Sequence, residues 1–221
     1  MMPVDVAVLD VDGTLSTCRY DFDAMRAAVA RAALRHGIDT SVLGIRGIIE
    51  QIHAVADMLG THGPEFQRDA DATVAAMETE EAREATLVPG VTGALAELRR
   101  DGIAVALITR NCRPATELVL RGFQEYDILM TRDDVPHAKP DPDHVLRPLA
   151  ALGRGPETGV LVGDHDFDIQ AGRAAGMRLC VGVRTGAGTE ESLRQAGADA
   201  VLDSIAELPE WLRDVGRCGV R

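Results

Sequence analysis

Lysine is almost absent from this sequence. Of its 23 basic residues, 22 are arginine and the remaining one is Lys139. Because arginine serves wherever a general cation is sufficient, the single lysine indicates a position that needs a compact ammonium rather than a planar guanidinium. The alternative is a surface lysine left by chance, but the surrounding segment 137–142, His-Ala-Lys-Pro-Asp-Pro, favours an ordered loop.

An excess of positive charge and long apolar runs are also missing. The chain has 23 basic and 35 acidic residues and a formal net charge of -12. This balance argues against nucleic acid and anionic membranes as partners, although a local metal ion still permits binding of phosphorylated metabolites. No apolar run approaches the length of a membrane span, and we see no signal-peptide pattern at the N-terminus. We therefore expect a cytoplasmic protein.

Cysteine is scarce, and the four cysteines include no C-x-x-C pair. Their scattered positions favour free thiols in a reducing compartment over a disulfide or a zinc site. The four are Cys18, Cys112, Cys180 and Cys218.

The pattern of apolar residues divides the chain into a helical part and an alternating part. Residues 16–88 contain no convincing strand, and Asp21, Ser41 and Pro64 are placed to begin three helices, with Phe22 on the apolar face of the first. From residue 89 onward, strands and helices alternate, which is typical of a doubly wound parallel sheet. We predict an α/β, Rossmann-like core of residues 1–15 plus 89–221, with an inserted α-helical domain over 16–88.

Two carboxylates stand at the end of the first predicted strand. Val6 to Leu9 are apolar without alternation, as in a strand buried on both faces, and Asp10 and Asp12 follow at once. Carboxylates at the end of a buried strand need a partner, and a cation such as Mg²⁺ is one that this edge of an α/β sheet can bind. The alternative is that both side chains only cap backbone amides.

Further polar residues follow the other strands of the predicted sheet. Because the carboxyl ends of parallel strands lie along one edge, we expect these side chains to meet Asp10 and Asp12 there. Together they suit phosphoryl transfer: acids to hold Mg²⁺, a hydroxyl and an ammonium for phosphate oxygens, and an aspartate to attack phosphorus. The residues are Thr109, Arg110, Asn111, Lys139, Asp164 and Asp168.

The set Asp10-Val-Asp12-Gly-Thr, Thr109, Lys139-Pro and Gly-Asp164-x-x-x-Asp168 resembles, in order and spacing, the four motifs of the haloacid dehalogenase superfamily of phosphohydrolases. The resemblance covers nearly the whole chain, and the helical insertion looks like the mobile cap of that family. The branch that the chain is most similar to contains phosphoglycolate phosphatase and β-phosphoglucomutase.

The resemblance implies a role for each motif residue. Asp10 would be the nucleophile, Asp12 the general acid and base, and Thr109 and Lys139 would bind the phosphoryl group. Mg²⁺ would be held by Asp10, the backbone carbonyl of Asp12 and Asp164, with Asp168 in support. Because Asp12 is present and the cap has no lysine, the chain departs from the dehalogenases and the phosphonate-cleaving members, which leaves phosphate esters.

Several residues are left with two interpretations. Arg110 and Asn111 either touch substrate or do not. Arg46, in the segment Gly-Ile-Arg-Gly, either binds a substrate anion or is a surface arginine, and the second is slightly favoured. For His165 and Asp166 we favour a solvated helix N-terminus over a catalytic role.

We therefore predict a Mg²⁺-dependent phosphatase of a small phosphorylated metabolite, either phosphoglycolate-like or a sugar phosphate. It would act through an aspartyl phosphate, as a monomer or homodimer, with no nucleic acid or membrane as partner. One alternative is a phosphomutase of the β-phosphoglucomutase type, which must protect the aspartyl phosphate from water. A non-catalytic phosphate-binding protein is the other, but binding alone does not need both Asp10 and Asp12.

Overall fold

In the computed structural model of the protein, residues 4–18, 20–45 and 47–218 are described. Within these residues, six parallel strands form one sheet in the order β3-β2-β1-β4-β5-β6. Helices cover both faces of the sheet, so the predicted Rossmann-like α/β fold class is confirmed. The strands are β1 (Val6–Asp10), β2 (Ala104–Ile108), β3 (Ile128–Met130), β4 (Gly159–Gly163), β5 (Leu179–Val183) and β6 (Ala200–Leu202).

The helices follow in the gaps between these strands. Three of them, which we call the helical insertion, lie between β1 and the fourth helix. In chain order the helices are α1 (Phe22–Leu34), α2 (Ile48–Leu59), α3 (Gly63–Glu81), α4 (Val91–Arg100), α5 (Arg113–Val119), α6 (Asp143–Ala151), α7 (Asp166–Ala174), α8 (Glu190–Gln195) and α9 (Leu208–Cys218).

Strand β1 lies at the centre of the sheet and is buried along its whole length. It pairs with β2 on one side, where Asp10 lies beside Ile108, and with β4 on the other, where Leu9 lies beside Val162. The strand order reverses between β1 and β4, and ligands of open α/β sheets bind outside the carboxyl ends at such a point. The chain therefore brings the ends of β1, β2 and β4 to one crevice.

The two faces of the sheet have separate hydrophobic clusters. On one face Ala7 and Leu9 pack with residues of α4 and α5, and on the other Val6 and Val8 pack with residues of α6 and α7. The alternate residues of β1 thus enter opposite clusters, as the pleat of a strand requires.

The helical insertion has a hydrophobic cluster of its own. Met25 and Val29 of α1, Ile52 and Val55 of α2, and Phe66 of α3 are among its buried members. Burial of an apolar stripe from each helix against the other two is what stabilises short helices of this length. The division into domains at residues 16–88 stays a prediction.

Two chain segments connect the helical insertion to the sheet, and they lie side by side. Thr17 N donates to Thr86 O (2.8 Å), and Val88 N donates to Leu15 O (2.8 Å). Ser16 and Leu87 form an antiparallel bridge between them. The outgoing and returning segments thus form a short two-stranded ribbon, which we call the paired linkers.

Two details of the predicted helices are wrong. Phe22 does not enter the buried apolar face of α1, because the residue is 48% exposed. Ser41 does not begin the second helix: Asp39 caps a single 3₁₀ turn at Thr40–Leu43, and the left-handed Gly44 (φ +65°) ends it before α2 begins at Ile48. The carboxylate of Asp21 does cap α1 by accepting from Ala24 N (2.8 Å).

The predictions of free thiols and of no membrane-spanning helix can be checked on the described residues. Cys18, Cys112 and Cys180 are free thiols, as predicted, whereas the side chain of Cys218 lies outside the described residues. Within the described ranges, no helix combines the length and the apolar character that crossing a bilayer requires.

Candidate active site

Three aspartates meet where β1 and β4 end. Asp10 is the last residue of β1, Asp164 follows β4 directly, and Asp168 lies in the first turn of α7. One carboxylate oxygen from each lies within 4.8 Å of the others, and all three residues are buried. We call this group the acid cluster. It arises because adjacent parallel strands deliver their following residues to the same edge of the sheet.

Lys139 is the cation of the acid cluster. Its Nζ donates to Asp168 Oδ1 (2.6 Å) and to Asp10 Oδ1, and the residue is only 2% exposed. Burial alone would lower the pKa of this ammonium, but the carboxylates of Asp10 and Asp168 raise it above its ordinary value. The single lysine of the chain is therefore a buried, charged group and not a surface residue.

His144 of α6 fixes the backbone at Lys139. Its Nδ1 accepts from Lys139 N (3.2 Å), so the proton of the neutral ring is on Nε2, which lies 3.2 Å from Met130 O. Burial, followed by the nearby ammonium of Lys139, lowers the pKa of His144 to about 4. The sequence analysis missed this residue, although it lies only five positions after the lone lysine.

One ammonium does not balance three buried carboxylates. Burial raises the pKa of Asp10 more than Lys139 lowers it, and Asp168 and Asp164 raise it further. Burial and then the charge of Asp168 raise the pKa of Asp164 to about 6. Asp10 Oδ2 is buried and has no hydrogen-bond partner among the described residues. An unpaired oxygen within a set of hard oxygen ligands fits a divalent cation such as Mg²⁺.

The Asp12 carboxylate is turned to different partners. Its Oδ2 accepts from the Thr109 hydroxyl (2.7 Å) and its Oδ1 accepts from the Tyr20 hydroxyl (3.1 Å). Burial raises the pKa of Asp12, although Thr109 and Tyr20 lower it in part. The side chain of Asp12 is therefore held outside the acid cluster, in a site that raises its pKa above the ordinary value.

A cavity of about 490 Å³ opens over these groups. Asp10, Asp12 and Lys139 lie in its wall on the side of the sheet, while the helical insertion forms the opposite wall. This volume suits a small ligand. The insertion contributes Phe22, Arg26, Ile48, Ile49, Val74 and Glu78 to the lining.

The comparison with known proteins decides the family. Residues 8–182 match the haloacid dehalogenase-like hydrolases. The chain belongs to this family. The predicted resemblance is thus confirmed, and the protein is an enzyme.

Relatives within the family are named phosphatases. The chain is 33% identical over 222 residues to a plasmid-borne phosphoglycolate phosphatase of Cupriavidus necator, covering 96% of this chain and 94% of that one. It is 30% identical over 209 residues to validoxylamine A 7'-phosphate phosphatase of Streptomyces hygroscopicus subsp. limoneus, covering 92% and 95%. The crystal structure of CbbY from Rhodobacter sphaeroides in complex with phosphate has a TM-score of 0.63 at 27% identity, covering 94% and 96%.

In this haloacid dehalogenase-like hydrolase, the loop after β5 also reaches the site. Ala187 N donates to Asp164 Oδ2 (2.7 Å), and Gly188 N donates to Asp164 O (2.9 Å). A Cβ on Gly186 would overlap the Asp164 carboxylate, so only glycine permits this approach. The sequence analysis missed this loop, although Gly-x-Gly two residues after a strand could have indicated it.

Arg110 and Asn111 follow Thr109 at the end of β2. Arg110 NH2 donates to both carboxylate oxygens of Glu50 in α2 (2.9 Å each), and its guanidinium carbon lies 4.9 Å from the ring centroid of Phe167. Asn111 is buried, and its backbone N–H donates to the Thr109 hydroxyl oxygen (3.1 Å). Both residues line the cavity.

The remaining candidates take different positions. His165 precedes α7 as its N-cap, with Nδ1 accepting from Phe167 N (3.3 Å), and it lies with Asp166 in the cavity wall. His165 is exposed and Asp166 is partly buried, which agrees with a solvated helix N-terminus. Arg46 lies outside the described residues, so its interpretation stays open.

A second contact between the insertion and the sheet was not predicted. Glu78 of α3 is buried, forms an ion pair with Arg132, and accepts from Cys112 N (3.0 Å) through Oε2. A buried carboxylate needs such partners. Nothing in the spacing of apolar residues indicates that a glutamate of the third helix reaches the core.

Proposed function

We propose that this hydrolase is a Mg²⁺-dependent phosphatase that hydrolyses a small phosphorylated metabolite through an aspartyl phosphate. The observation that carries the proposal is the buried Asp10, paired with Lys139 beside Asp164, with a second oxygen unpaired in the wall of a cavity. Phosphoglycolate leads as a substrate because of the relative in Cupriavidus necator, and the sugar phosphates expected from the sequence analysis follow.

In the first half-reaction, a carboxylate oxygen of Asp10 forms a bond to phosphorus. The bond from phosphorus to the ester oxygen breaks, and the leaving alkoxide takes a proton from Asp12. Burial has already raised the pKa of Asp12, which favours the protonated acid. Lys139 stabilises the negative charge of the transferring group, and we assign the Thr109 hydroxyl, adjacent to Asp12, to a phosphoryl oxygen.

In the second half-reaction, a water molecule attacks the phosphorus of the aspartyl phosphate. Asp12, now a carboxylate, takes a proton from this water, and the bond between phosphorus and Asp10 breaks to release phosphate. Mg²⁺, when held by Asp10, Asp164 and Asp168 with the carbonyl of Asp12, supplies positive charge where the phosphoryl oxygens gain negative charge.

We infer that residues 16–88 act as a cap over this reaction. The insertion wall of the cavity includes Ile48, Ile49 and Val74, which are apolar and would exclude bulk water from the phosphoryl group. The paired linkers give the insertion a connection about which it can open and close. These domain limits are part of the proposal.

The experiment that tests this function removes the nucleophile. Asp10→Asn should retain the fold and abolish phosphate release from phosphoglycolate and a panel of sugar phosphates, because an amide does not attack phosphorus. Asp203→Asn, the same change at an exposed position after β6, is the matched control. A substantial residual rate in Asp10→Asn would exclude the covalent mechanism. If phosphorus NMR showed isomerisation of a sugar phosphate without phosphate release, the phosphomutase alternative would be favoured.

A further inference from the structure

The Arg110 guanidinium in the cavity wall is engaged by an internal carboxylate. Glu50 meets Arg110 NH2 with both of its oxygens at 2.9 Å. Glu50 lies in the first turn of α2, in the helical insertion, whereas Arg110 directly follows the candidate phosphate-binding residue Thr109. The pair therefore links the helical insertion to the core beside the proposed phosphoryl site.

The contacts of Arg110 differ in how easily they can be exchanged. On the core side, Arg110 NH1 donates to the carbonyl of Lys139, and the guanidinium lies over the ring of Phe167. These two contacts would keep the guanidinium in place without Glu50. The Glu50 side chain is 43% exposed, so it can turn into water at little cost in free energy.

We propose that Glu50 occupies the position on Arg110 that a substrate carboxylate takes on binding. The enzyme therefore selects phosphate esters that carry a carboxylate, which replaces the carboxylate of Glu50 on the guanidinium. This inference rests on the proposed phosphatase function. A guanidinium fixed on two sides presents donors that match a carboxylate. Neither an alcohol nor an ammonium group on the substrate can take the place of that carboxylate. The cavity of about 490 Å³ has room for a short ester of this kind.

Arg26 is the competing cation from the insertion wall. It also lines the cavity, but its ion pair is with Asp23, one turn earlier on α1, whose side chain is 92% exposed. A cation held only by an exposed pair on its own helix is less well oriented than one held by the core. The geometry therefore favours Arg110 over Arg26 as the group that binds the substrate carboxylate.

The experiment compares three esters of similar size in the full-length enzyme with Mg²⁺. Phosphoglycolate carries a carboxylate, ethyl phosphate carries no second charge, and phosphoethanolamine carries an ammonium. The measured quantity is the ratio of kcat/KM for phosphoglycolate to kcat/KM for each of the other two. The variants are Glu50→Gln, Arg110→Gln, their double variant and Arg26→Gln, and Glu65→Gln controls for net charge at an exposed position of the same insertion.

We expect Glu50→Gln to raise the ratio up to about fivefold, because a partly exposed competing pair is lost. Arg110→Gln should lower the ratio at least about tenfold, because a charge-assisted contact with the substrate is lost. In the double variant, the glutamine at position 50 should have no further effect, since the competitor and the substrate share one guanidinium. Glu65→Gln should leave the ratio unchanged.

Three results would overturn the inference. Equal changes for all three esters in Glu50→Gln would mean that the pair only holds the insertion closed. If Glu50→Gln also raised the ratio in the Arg110→Gln background, the cause would be a general electrostatic effect of the lost negative charge. A larger loss in Arg26→Gln than in Arg110→Gln would assign the carboxylate to the other arginine.

Calorimetric binding of the same esters separates this inference from the proposed function. Binding should follow the same order among the variants and needs no turnover. Preferential binding of phosphoglycolate through Arg110 without phosphate release would contradict the phosphatase proposal alone. Phosphate release from all three esters with no dependence on Arg110 would contradict this inference alone.

Discussion

Lys139→Arg retains the positive charge of the acid cluster and still should remove most of the activity. The ammonium lies 2.6 Å from Asp168 Oδ1, donates to Asp10 as well, and is only 2% exposed. A guanidinium is longer and planar, so it cannot place its charge at the same point. A displacement of about 1 Å can cost about 10²-fold in rate. We expect kcat to fall at least about tenfold, or ~1.4 kcal/mol of barrier.

The same change should also lower stability. A site at the edge of the sheet would suggest little effect, but the structure corrects this view because Lys139 is enclosed by Asp10, Asp168 and His144. Forcing a larger side chain into a filled site costs about 1–3 kcal/mol. The free energy of unfolding should therefore fall by a similar amount while the protein still folds.

The assay is steady-state kinetics on a phosphate ester together with urea unfolding of the same preparations. Lys139→Met, which removes the charge without enlarging the side chain, is the comparison that separates shape from charge. Wild-type turnover in Lys139→Arg would refute the reasoning, because it would show that any cation at this position is sufficient. It would also make the scarcity of lysine in this chain uninformative.

Three further predictions concern the metal, acid stability and motion. Activity should vanish with chelator and return with Mg²⁺ but little with Ca²⁺. Asp164→Ala should weaken Mg²⁺ affinity, measured by calorimetry, more than Asp166→Ala does. The reverse order would mean that Asp166, and not Asp164, holds the metal. The pKa of His144 is lowered to about 4, so its contribution to the free energy of unfolding is complete above about pH 6.5 and is lost as the pH falls toward 4. His144→Gln should reduce this acid-induced loss of unfolding free energy by about 3 kcal/mol at most, as measured by urea unfolding. The same pH dependence in the wild type and in the variant would contradict this prediction. A phosphate mimic with Mg²⁺ should alter hydrogen exchange near residues 14–20 and 86–90, whereas no change at saturation would indicate a fixed insertion.

The strands of the core could be predicted because local sequence determines them. The apolar run from Val6 to Leu9 predicts the first strand, and β1 differs from that prediction only by including Asp10. Ser41 shows the limit of this approach. A serine before an apolar stripe looks like a helix start, but the left-handed Gly44 and the extended Gly47 delay α2 to Ile48.

The location of the candidate site could also be predicted, because residues after parallel strands share an edge. That rule brings Asp10, Thr109 and Asp164 together without any knowledge of packing. It says nothing of Tyr20, which contacts Asp12, or of Glu50 in α2, which contacts Arg110. Their positions depend on how three helices pack over the sheet, and no periodic pattern encodes that docking. The roles of the site residues stay predictions until they are measured.

The paired linkers have a consequence for how such an enzyme can change. Because Ser16 and Leu87 lie opposite each other in an antiparallel bridge, the helical insertion leaves and rejoins the sheet at almost one point. A segment whose two ends are adjacent can be replaced by another of different length without moving the strands on either side. The insertion wall of the cavity is therefore separable from the acid cluster: a different insertion could be grafted between Ser16 and Leu87 while Asp10, Lys139 and Asp164 keep their places.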